Sequence, residues 1–219
     1  MPGFQETRST MKKLRVLCLH GYHGNADVLR DQMSTLTSGL EPMAEFVFVD
    51  APSRANGDFG WWHAVQDVQR FDADPGVTIY KGWRNTYDWI ISLFKSEGPF
   101  DGVFGFSQGA ALAGLLAGLR STDGKPSEHA PLAFDFAIMT GGFLANDPSL
   151  ARLYTSTASY DLPSVHIIGR SDSVVPSRHS RMLASKFNKP LVLEHDGGHV
   201  IAAKPEIRAQ VASFLKQRM

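Results

Sequence analysis

Gly105-Phe106-Ser107-Gln108-Gly109 is the stretch of sequence that decides the fold. It follows an apolar run at residues 100–104, typical of a short buried strand, and precedes small apolar residues at 110–117, typical of a buried helix. A serine between two glycines at such a junction predicts a tight turn that lifts the hydroxyl out of the sheet toward a substrate. The five residues alone are a weak signal, since an ordinary strand-to-helix turn can contain them. The flanking strand and helix make the pattern specific.

Length and composition fit one domain with a full core. Of the 219 residues, we expect 12–219 to form that domain and 1–11 to be an N-terminal tail. The 22 basic and 22 acidic side chains balance, which favours neither a nucleic acid nor an anionic membrane as partner. Neither a long apolar span nor a signal peptide is visible, so we expect a cytoplasmic location. Cys18, the sole cysteine, lies in an apolar run and is expected to be buried in a strand.

Short apolar runs alternate with helical segments along the chain. The predicted strands are residues 14–19, 45–49, 100–104, 134–139, 164–168 and 191–194. The predicted helices begin at caps on Asn25 and Asn85, cover 110–117, start near 176, and run over 205–216. This alternation predicts a mostly parallel sheet of about six strands with helices on both faces. In such sheets, ligands bind beyond the carboxyl ends of the strands.

Residues 53–82 form the least regular part of the sequence. They contain several Gly and Pro residues and the adjacent pair Trp61-Trp62, with no strong periodicity. A long connection of this kind inside one domain is usually functional, so we expect a long loop that could act as a lid.

Ser107, Asp172 and His199 each lie in a loop directly after a predicted strand. A serine hydroxyl needs a base to take its proton, and the base needs an acid to hold its tautomer. Nucleophile, acid and histidine follow one another in this order in the α/β-hydrolase fold, which is therefore the predicted fold. Asp196, three residues before His199, is the alternative acid. Of the eight histidines, His199 is the candidate base, because it comes after Ser107 and Asp172 in the chain and follows two glycines. His20 is expected to brace the loop after the first strand.

The oxyanion that forms during acyl transfer needs two donors. The residue after the nucleophile supplies one N–H, and the loop after the first strand supplies the other, which predicts the backbone N–H groups of Gln108 and Tyr22. Aromatic side chains are the candidates for a substrate pocket, although each could instead fill the core. They are Trp61, Trp62 and Phe143, with Phe59 and Trp83 as further candidates.

Signals for cofactors are missing from the sequence. There is no Cys-x-x-Cys pair, no Lys-Ser/Thr ending of a phosphate loop, and no Gly-x-Gly-x-x-Gly after the first strand. We therefore expect neither a metal nor an organic cofactor.

Several motifs together resemble the fungal "family of serine hydrolases", which includes a human ovarian-cancer-associated homologue. They are Leu19-His20-Gly21-Tyr22, Trp61-Trp62, the run at 98–110, Gly169-Arg170-Ser171-Asp172 and Gly197-Gly198-His199. The likeness extends from about residue 12 to the C-terminus. It implies an α/β-hydrolase whose catalytic triad is Ser107, Asp172 and His199, with esterase activity and, in some relatives, thioesterase activity. The acyl-protein thioesterases and carboxylesterases share the Gly-Phe-Ser-Gln-Gly core.

The expected function is a serine hydrolase that cleaves carboxylic esters or thioesters of small acyl substrates through an acyl-enzyme. The alternative is a non-catalytic small-molecule receptor on the same fold. The sequence predicts neither the acyl chain length nor the oligomeric state.

Overall fold

A parallel sheet forms the centre of the computed structural model, which describes residues 12–66, 78–120, 131–155 and 159–219. The strands are β1 (Leu14–Leu19), β2 (Ala44–Val49), β3 (Ser53–Ala55), β4 (Asp58–Gly60), β5 (His63–Gln66), β6 (Thr78–Lys81), β7 (Gly102–Phe106), β8 (Phe136–Thr140), β9 (Ser164–Gly169) and β10 (Leu191–His195). The helices are α1 (Ala26–Thr37), α2 (Trp83–Glu97), α3 (Gln108–Leu119), α4 (Arg152–Thr155), α5 (Ser177–Ala184) and α6 (Pro205–Lys216).

The main sheet has six strands in the order β10-β9-β8-β7-β1-β2, and every neighbouring pair is parallel. This confirms the predicted sheet. Because all six strands run the same way, the loops after β1, β7, β8, β9 and β10 meet at one edge. All the polar residues predicted for the site lie in those loops.

The hydrophobic core has two layers, one on each face of the sheet, and alternate residues of β1 belong to one layer or the other. Leu17 and Leu19 pack with α3 on one face, whereas Val16 and Cys18 pack with α1 and α6 on the other. Cys18 is fully buried, as expected from its apolar surroundings. Helix α3 is apolar and buried on nearly all sides, which explains why the segment after Ser107 lacks an amphipathic pattern.

The helix caps show where the sequence-based boundaries hold and where they fail. Asn25 caps α1, with its side chain accepting a hydrogen bond from the Val28 N–H at 2.9 Å. The predicted cap at Asn85 is wrong. Helix α2 begins at Trp83, and its cap is Gly82, whose φ of 91° is readily adopted only by glycine. The strand before Ser107 continues to Phe106, two residues further than predicted.

Residues 53–82 contain two short antiparallel ribbons that the sequence analysis did not predict. One pairs β3 with β4 and the other pairs β5 with β6. These strands are three or four residues long, too short for their alternation to stand out. Residues 67–77, within the predicted lid, lie outside the described residues, and so does the predicted tail at 1–11. Among the described residues, every helix is too short or too polar to cross a membrane.

Candidate active site

Ser107 occupies a strained turn between β7 and α3. Its φ of 55° and ψ of −115° are unusual for a residue with a side chain. Backbone crowding explains both flanking glycines. A Cβ on Gly105 would lie 2.3 Å from the Gly109 carbonyl oxygen, and one on Gly109 would lie 2.1 Å from the Leu19 carbonyl oxygen. The close approach of three segments therefore requires glycine on both sides of the serine.

Asp172 and His199 are joined by a short hydrogen bond. The imidazole Nδ1 donates to Asp172 Oδ2 at 2.7 Å. The other carboxylate oxygen, Oδ1, accepts from the backbone N–H groups of Val174 at 2.9 Å and Val175 at 2.8 Å. The Asp172 side chain is only 2% exposed, so the turn after β9 fixes its orientation. With the proton on Nδ1, His199 presents Nε2 as an acceptor.

His199 lies beside the turn that carries Ser107. Its ring centroid is 4.9 Å from that of Phe106, the residue before the serine. A Cβ on Gly141 would lie 3.0 Å from His199 Cε1, and Gly141 follows Thr140, whose carbonyl accepts from the Ser107 N–H at 2.9 Å. Within the described ranges, no hydrogen bond links Ser107 Oγ to His199. The structure thus joins the predicted acid and base directly and brings the serine to the adjacent turn.

Asp196, the alternative acid, lies in a different environment. Its side chain is 76% exposed, and its Oδ1 is 2.8 Å from Arg170 Nη2. Lys204 Nζ lies 3.6 Å from the other carboxylate oxygen. Arg170 lowers the pKa of this carboxyl below its ordinary value. Asp196 is therefore part of a surface ion-pair group, while Asp172 is the acid that contacts His199.

The loop after β1 lies against Ser107. A Cβ on Gly21 would be 3.3 Å from Ser107 Cβ, which puts the Gly21–Tyr22 backbone next to the serine. Gln108 is the first residue of α3, where helix geometry leaves backbone N–H groups free. In the part of the chain that the structure describes, neither the Tyr22 N–H nor the Gln108 N–H donates to a protein acceptor. These are the two N–H groups that the sequence analysis expects to act as oxyanion donors.

The His20 side chain fixes the loop after β1 through two hydrogen bonds. Its Nδ1 bonds to the Gly21 carbonyl oxygen at 2.7 Å, and its Nε2 accepts from the Ala51 N–H at 3.0 Å. Only an imidazole protonated at Nδ1 alone satisfies both contacts. Burial lowers the pKa of His20, which favours this neutral form. These contacts agree with the bracing role expected from the sequence.

A cleft of about 430 Å³ opens at Ser107 and Gln108. Its apolar lining comes from Trp62, Tyr80, Phe143, Val174 and Val175. Its polar lining includes Thr78 and Asn146.

The other aromatic candidates lie away from this cleft. Trp61 is fully buried, donates from its indole N–H to the His20 carbonyl oxygen at 2.8 Å, and packs against Trp89. Its place is therefore in the core behind the cleft. Phe59 packs beneath the Arg54 guanidinium, and Trp83 lines a separate groove beside α2.

Three features of the site were missed by the sequence analysis. Tyr80 comes from a ribbon strand without a recognisable pattern, and the Gln108 side chain was not assigned a role. Gly141, with a φ of 57° against His199, could have been found, because Gly141-Gly142 directly follows a predicted strand.

The sequence analysis expected no metal and took the His-x-x-x-His spacing of helical zinc ligands to be absent, but His195 and His199 have that spacing. Here His195 lies in β10 and His199 in the loop that follows. Among the described residues, no group of three or more His, Cys, Asp or Glu side chains could hold a metal ion.

Solved structures define the fold class. The crystal structure of esterase PE8 is 23% identical and matches with a TM-score of 0.66 over 94% of this chain and 93% of that one. The crystal structure of Zea mays acyl-protein thioesterase 2 is 22% identical, with a TM-score of 0.61 over 94% of both chains. Together with the sheet order, these likenesses identify the α/β-hydrolase fold.

The family follows from sequence comparison. A family model described as "Serine hydrolase (FSH1)" matches residues 9–211. Esterase OVCA2 of Xenopus tropicalis is 33% identical over 206 residues, covering 87% of this chain and 86% of the relative. Esterase OVCA2 of Homo sapiens is 31% identical over 228 residues, covering 95% and 98%. Esterase CG5412 of Drosophila melanogaster is 30% identical over 218 residues, covering 95% and 75%. The chain belongs to the FSH1 serine hydrolase family.

Proposed function

We propose that this protein hydrolyses carboxylic esters or thioesters of acyl groups, with Ser107 as nucleophile, His199 as base and Asp172 as orienting acid. The observation that carries the proposal is the 2.7 Å bond between His199 and the buried Asp172, beside the strained turn at Ser107. The esterase names of the relatives support the reaction class. The thioesterase name of one structural neighbour is the reason to include thioesters.

The reaction has two halves. Ser107 Oγ attacks the carbonyl carbon and passes its proton to His199 Nε2, while the Asp172 carboxylate stabilises the imidazolium. The carbonyl oxygen becomes negative and accepts hydrogen bonds from the Tyr22 and Gln108 N–H groups. The leaving alcohol or thiol takes the proton from His199. Water then attacks the acyl-enzyme with His199 as base, which releases the acid and restores Ser107.

The Ser107-to-His199 hydrogen bond is the contact that this scheme still needs. Catalytic hydrogen bonds are often long or misaligned without substrate and tighten when it binds. The apolar side chains of the cleft next to Ser107 suit an acyl chain better than a charged group. We therefore assign the cleft to the acyl part of the substrate.

A fluorophosphonate probe, which modifies activated serines, tests the proposal. We expect the wild type to be labelled and Ser107→Ala to be unlabelled, with kcat lowered by roughly 10⁴ or more. Ser177→Ala is the matched control, because Ser177 lies on α5 and its hydroxyl accepts a hydrogen bond from the exposed Arg181 side chain. This variant should be labelled like the wild type.

A series of matched oxyesters and thioesters of increasing acyl length then defines the leaving group through kcat/KM. A wild type that resists the probe and hydrolyses no member of the series would contradict the proposal. Tight binding of an ester without turnover would favour the alternative, a small-molecule receptor.

A further inference from the structure

In addition to its backbone N–H, Gln108 has a side chain that makes hydrogen bonds near the cleft. Gln108 lines the cleft beside Ser107 and is buried, and its carboxamide bonds to the Trp61–Trp62 segment. The Trp61 N–H donates to Gln108 Oε1 at 2.9 Å, and Gln108 Nε2 donates to the Trp62 carbonyl oxygen at 2.8 Å. Both ends of the carboxamide are therefore used on two consecutive residues.

The Trp61–Trp62 segment lies between β4 and β5 and is in neither strand. A residue inside a sheet would find its N–H and C=O partners on the next strand. Here the carboxamide of Gln108 provides one donor and one acceptor in place of such a strand. The segment is also fixed from behind, where Thr86 Oγ1 donates to the Trp61 carbonyl oxygen.

Trp62 connects the segment that Gln108 holds to the cleft. Trp62 lines the same cleft as Ser107, although the residue is only 1% exposed, and its ring stacks on Tyr80, with ring centroids 4.6 Å apart and planes 11° from parallel. Tyr80 is held in turn, because its N–H donates to Asp147 Oδ2 at 2.8 Å and its hydroxyl donates to Asn146 Oδ1 at 2.7 Å. The distance from the aromatic wall to the nucleophile thus depends on a side chain one residue from Ser107.

We propose that the Gln108 side chain is a positioning residue that holds the Trp62 wall at a fixed distance from Ser107 and so sets selectivity for the acyl chain. This inference rests on the proposed hydrolase function. Loss of the carboxamide would leave the buried Trp61 N–H and Trp62 C=O unpaired, which favours a shift of the segment. An acyl chain long enough to reach Trp62 would lose more from that shift than an acetyl group, which ends near Ser107.

Two variants of similar shape test this inference. Gln108→Met removes both hydrogen bonds, whereas Gln108→Glu keeps an acceptor for the Trp61 N–H and opposes the Trp62 carbonyl with a second acceptor. For acetyl and octanoyl esters of one alcohol, we expect the octanoyl-to-acetyl ratio of kcat/KM to fall about tenfold or more in both variants, chiefly through KM. If one variant does not fold, the other carries the test.

Ser164→Ala is the matched control. It removes a buried hydrogen bond to His166 at the amino end of β9, away from the cleft. It should lower the melting temperature and leave the octanoyl-to-acetyl ratio as in the wild type. Unchanged ratios in both Gln108 variants, with only a lower melting temperature, would overturn the inference.

Amide hydrogen exchange of ¹⁵N-tryptophan-labelled protein provides a measure that does not need turnover. The Trp61 amide should exchange faster in Gln108→Met than in the wild type and remain protected in Gln108→Glu. If the wild type hydrolyses neither ester, the proposed function fails, and exchange still decides whether Gln108 holds the segment. Equal Trp61 exchange in Gln108→Met and the wild type would overturn the inference whatever the activity.

Discussion

The two parts of the site on either side of Ser107, the His199 side and the Trp62 side, are built in opposite ways. On the His199 side, Asp172 accepts hydrogen bonds from the backbone of residues two and three positions further along the chain. On the Trp62 side, the bonds from Gln108 span 46 and 47 residues, and the bond from the Trp61 indole to His20 spans 41. A local turn orients the acid, while partners distant in sequence hold the aromatic wall.

This difference separates two properties of the proposed enzyme. The His199 side holds the groups that would move protons, so changes there should act mainly on kcat. The Trp62 side holds the surface that would contact the acyl chain, so changes there should act mainly on KM and on the choice of substrate.

Asp172→Asn should have the largest effect. The amide keeps the size of the side chain but can stabilise the wrong tautomer of His199 and no longer balances an imidazolium. We expect kcat to fall roughly 10⁴-fold with little change in KM. The measurement is steady-state hydrolysis of a short acyl ester at neutral pH.

Asp196→Asn is the control for that substitution. Asp196 carries the same functional group three residues from His199, yet its side chain is 76% exposed and paired with Arg170. We expect its kcat to stay within about threefold of the wild type, since surface ion pairs contribute little. A larger loss from Asp196→Asn than from Asp172→Asn would reverse the assignment of the acid.

The contrast between local contacts on the His199 side and long-range contacts on the Trp62 side explains which features could be predicted from the sequence. Ser107, Asp172 and His199 each follow a strand of a parallel sheet, so the strand order alone brings them to one edge. The six strands are apolar and regular, and four of them are paired on both sides. The acid and base could therefore be paired before any coordinates were known.

The Trp62 side could not be predicted in this way. Trp61 and Trp62 are adjacent, chemically alike and both buried, yet only Trp62 lines the cleft. What separates them is the carboxamide of Gln108 and the stacking of Tyr80, both distant in sequence. Short ribbon strands have too few residues to show a period, so only the tertiary contacts reveal this wall.

Gly141→Ala should have the second largest effect, because it disturbs His199 without removing a functional group. The φ of 57° is unfavourable for alanine, and the new Cβ would lie 3.0 Å from His199 Cε1. A displaced imidazole should lower kcat by about 10²-fold, since misplacement by about 1 Å has effects of this size. The assay is again hydrolysis of a short ester, with the melting temperature measured in parallel.

Gly39→Ala is the matched control for that substitution. Gly39 also has a positive φ, of 83°, but nothing lies within 4 Å of an added Cβ. This variant should lose stability through backbone strain while keeping its kcat within about threefold. Equal losses of kcat in the two variants would show that strain, and not the contact with His199, is responsible.

The smallest expected effect is a dependence of stability on pH that comes from buried histidines outside the proposed triad. Burial lowers the pKa of His20, under the β1 loop, and lowers the pKa of His166, in β9, to about 3. Between the ordinary histidine pKa near 6.5 and the lowered value, the unfolded chain binds a proton that the folded chain does not. Stability is therefore complete above about pH 6.5 and decreases as the pH falls below it.

For His166 the loss should amount to about 1.4 kcal/mol per pH unit, or about 2 kcal/mol at pH 5. Urea unfolding at pH 7.5 and pH 5 measures it in the wild type and in His166→Phe, which keeps a ring against Phe187 but cannot titrate. The variant should lose less stability than the wild type between these two pH values, and the difference between the proteins should stay constant from pH 7.5 to 8.5. Equal losses of stability in the wild type and in His166→Phe would mean that unfolding is not accompanied by proton binding at residue 166. The acid sensitivity would then have to come from His20 and the other buried groups.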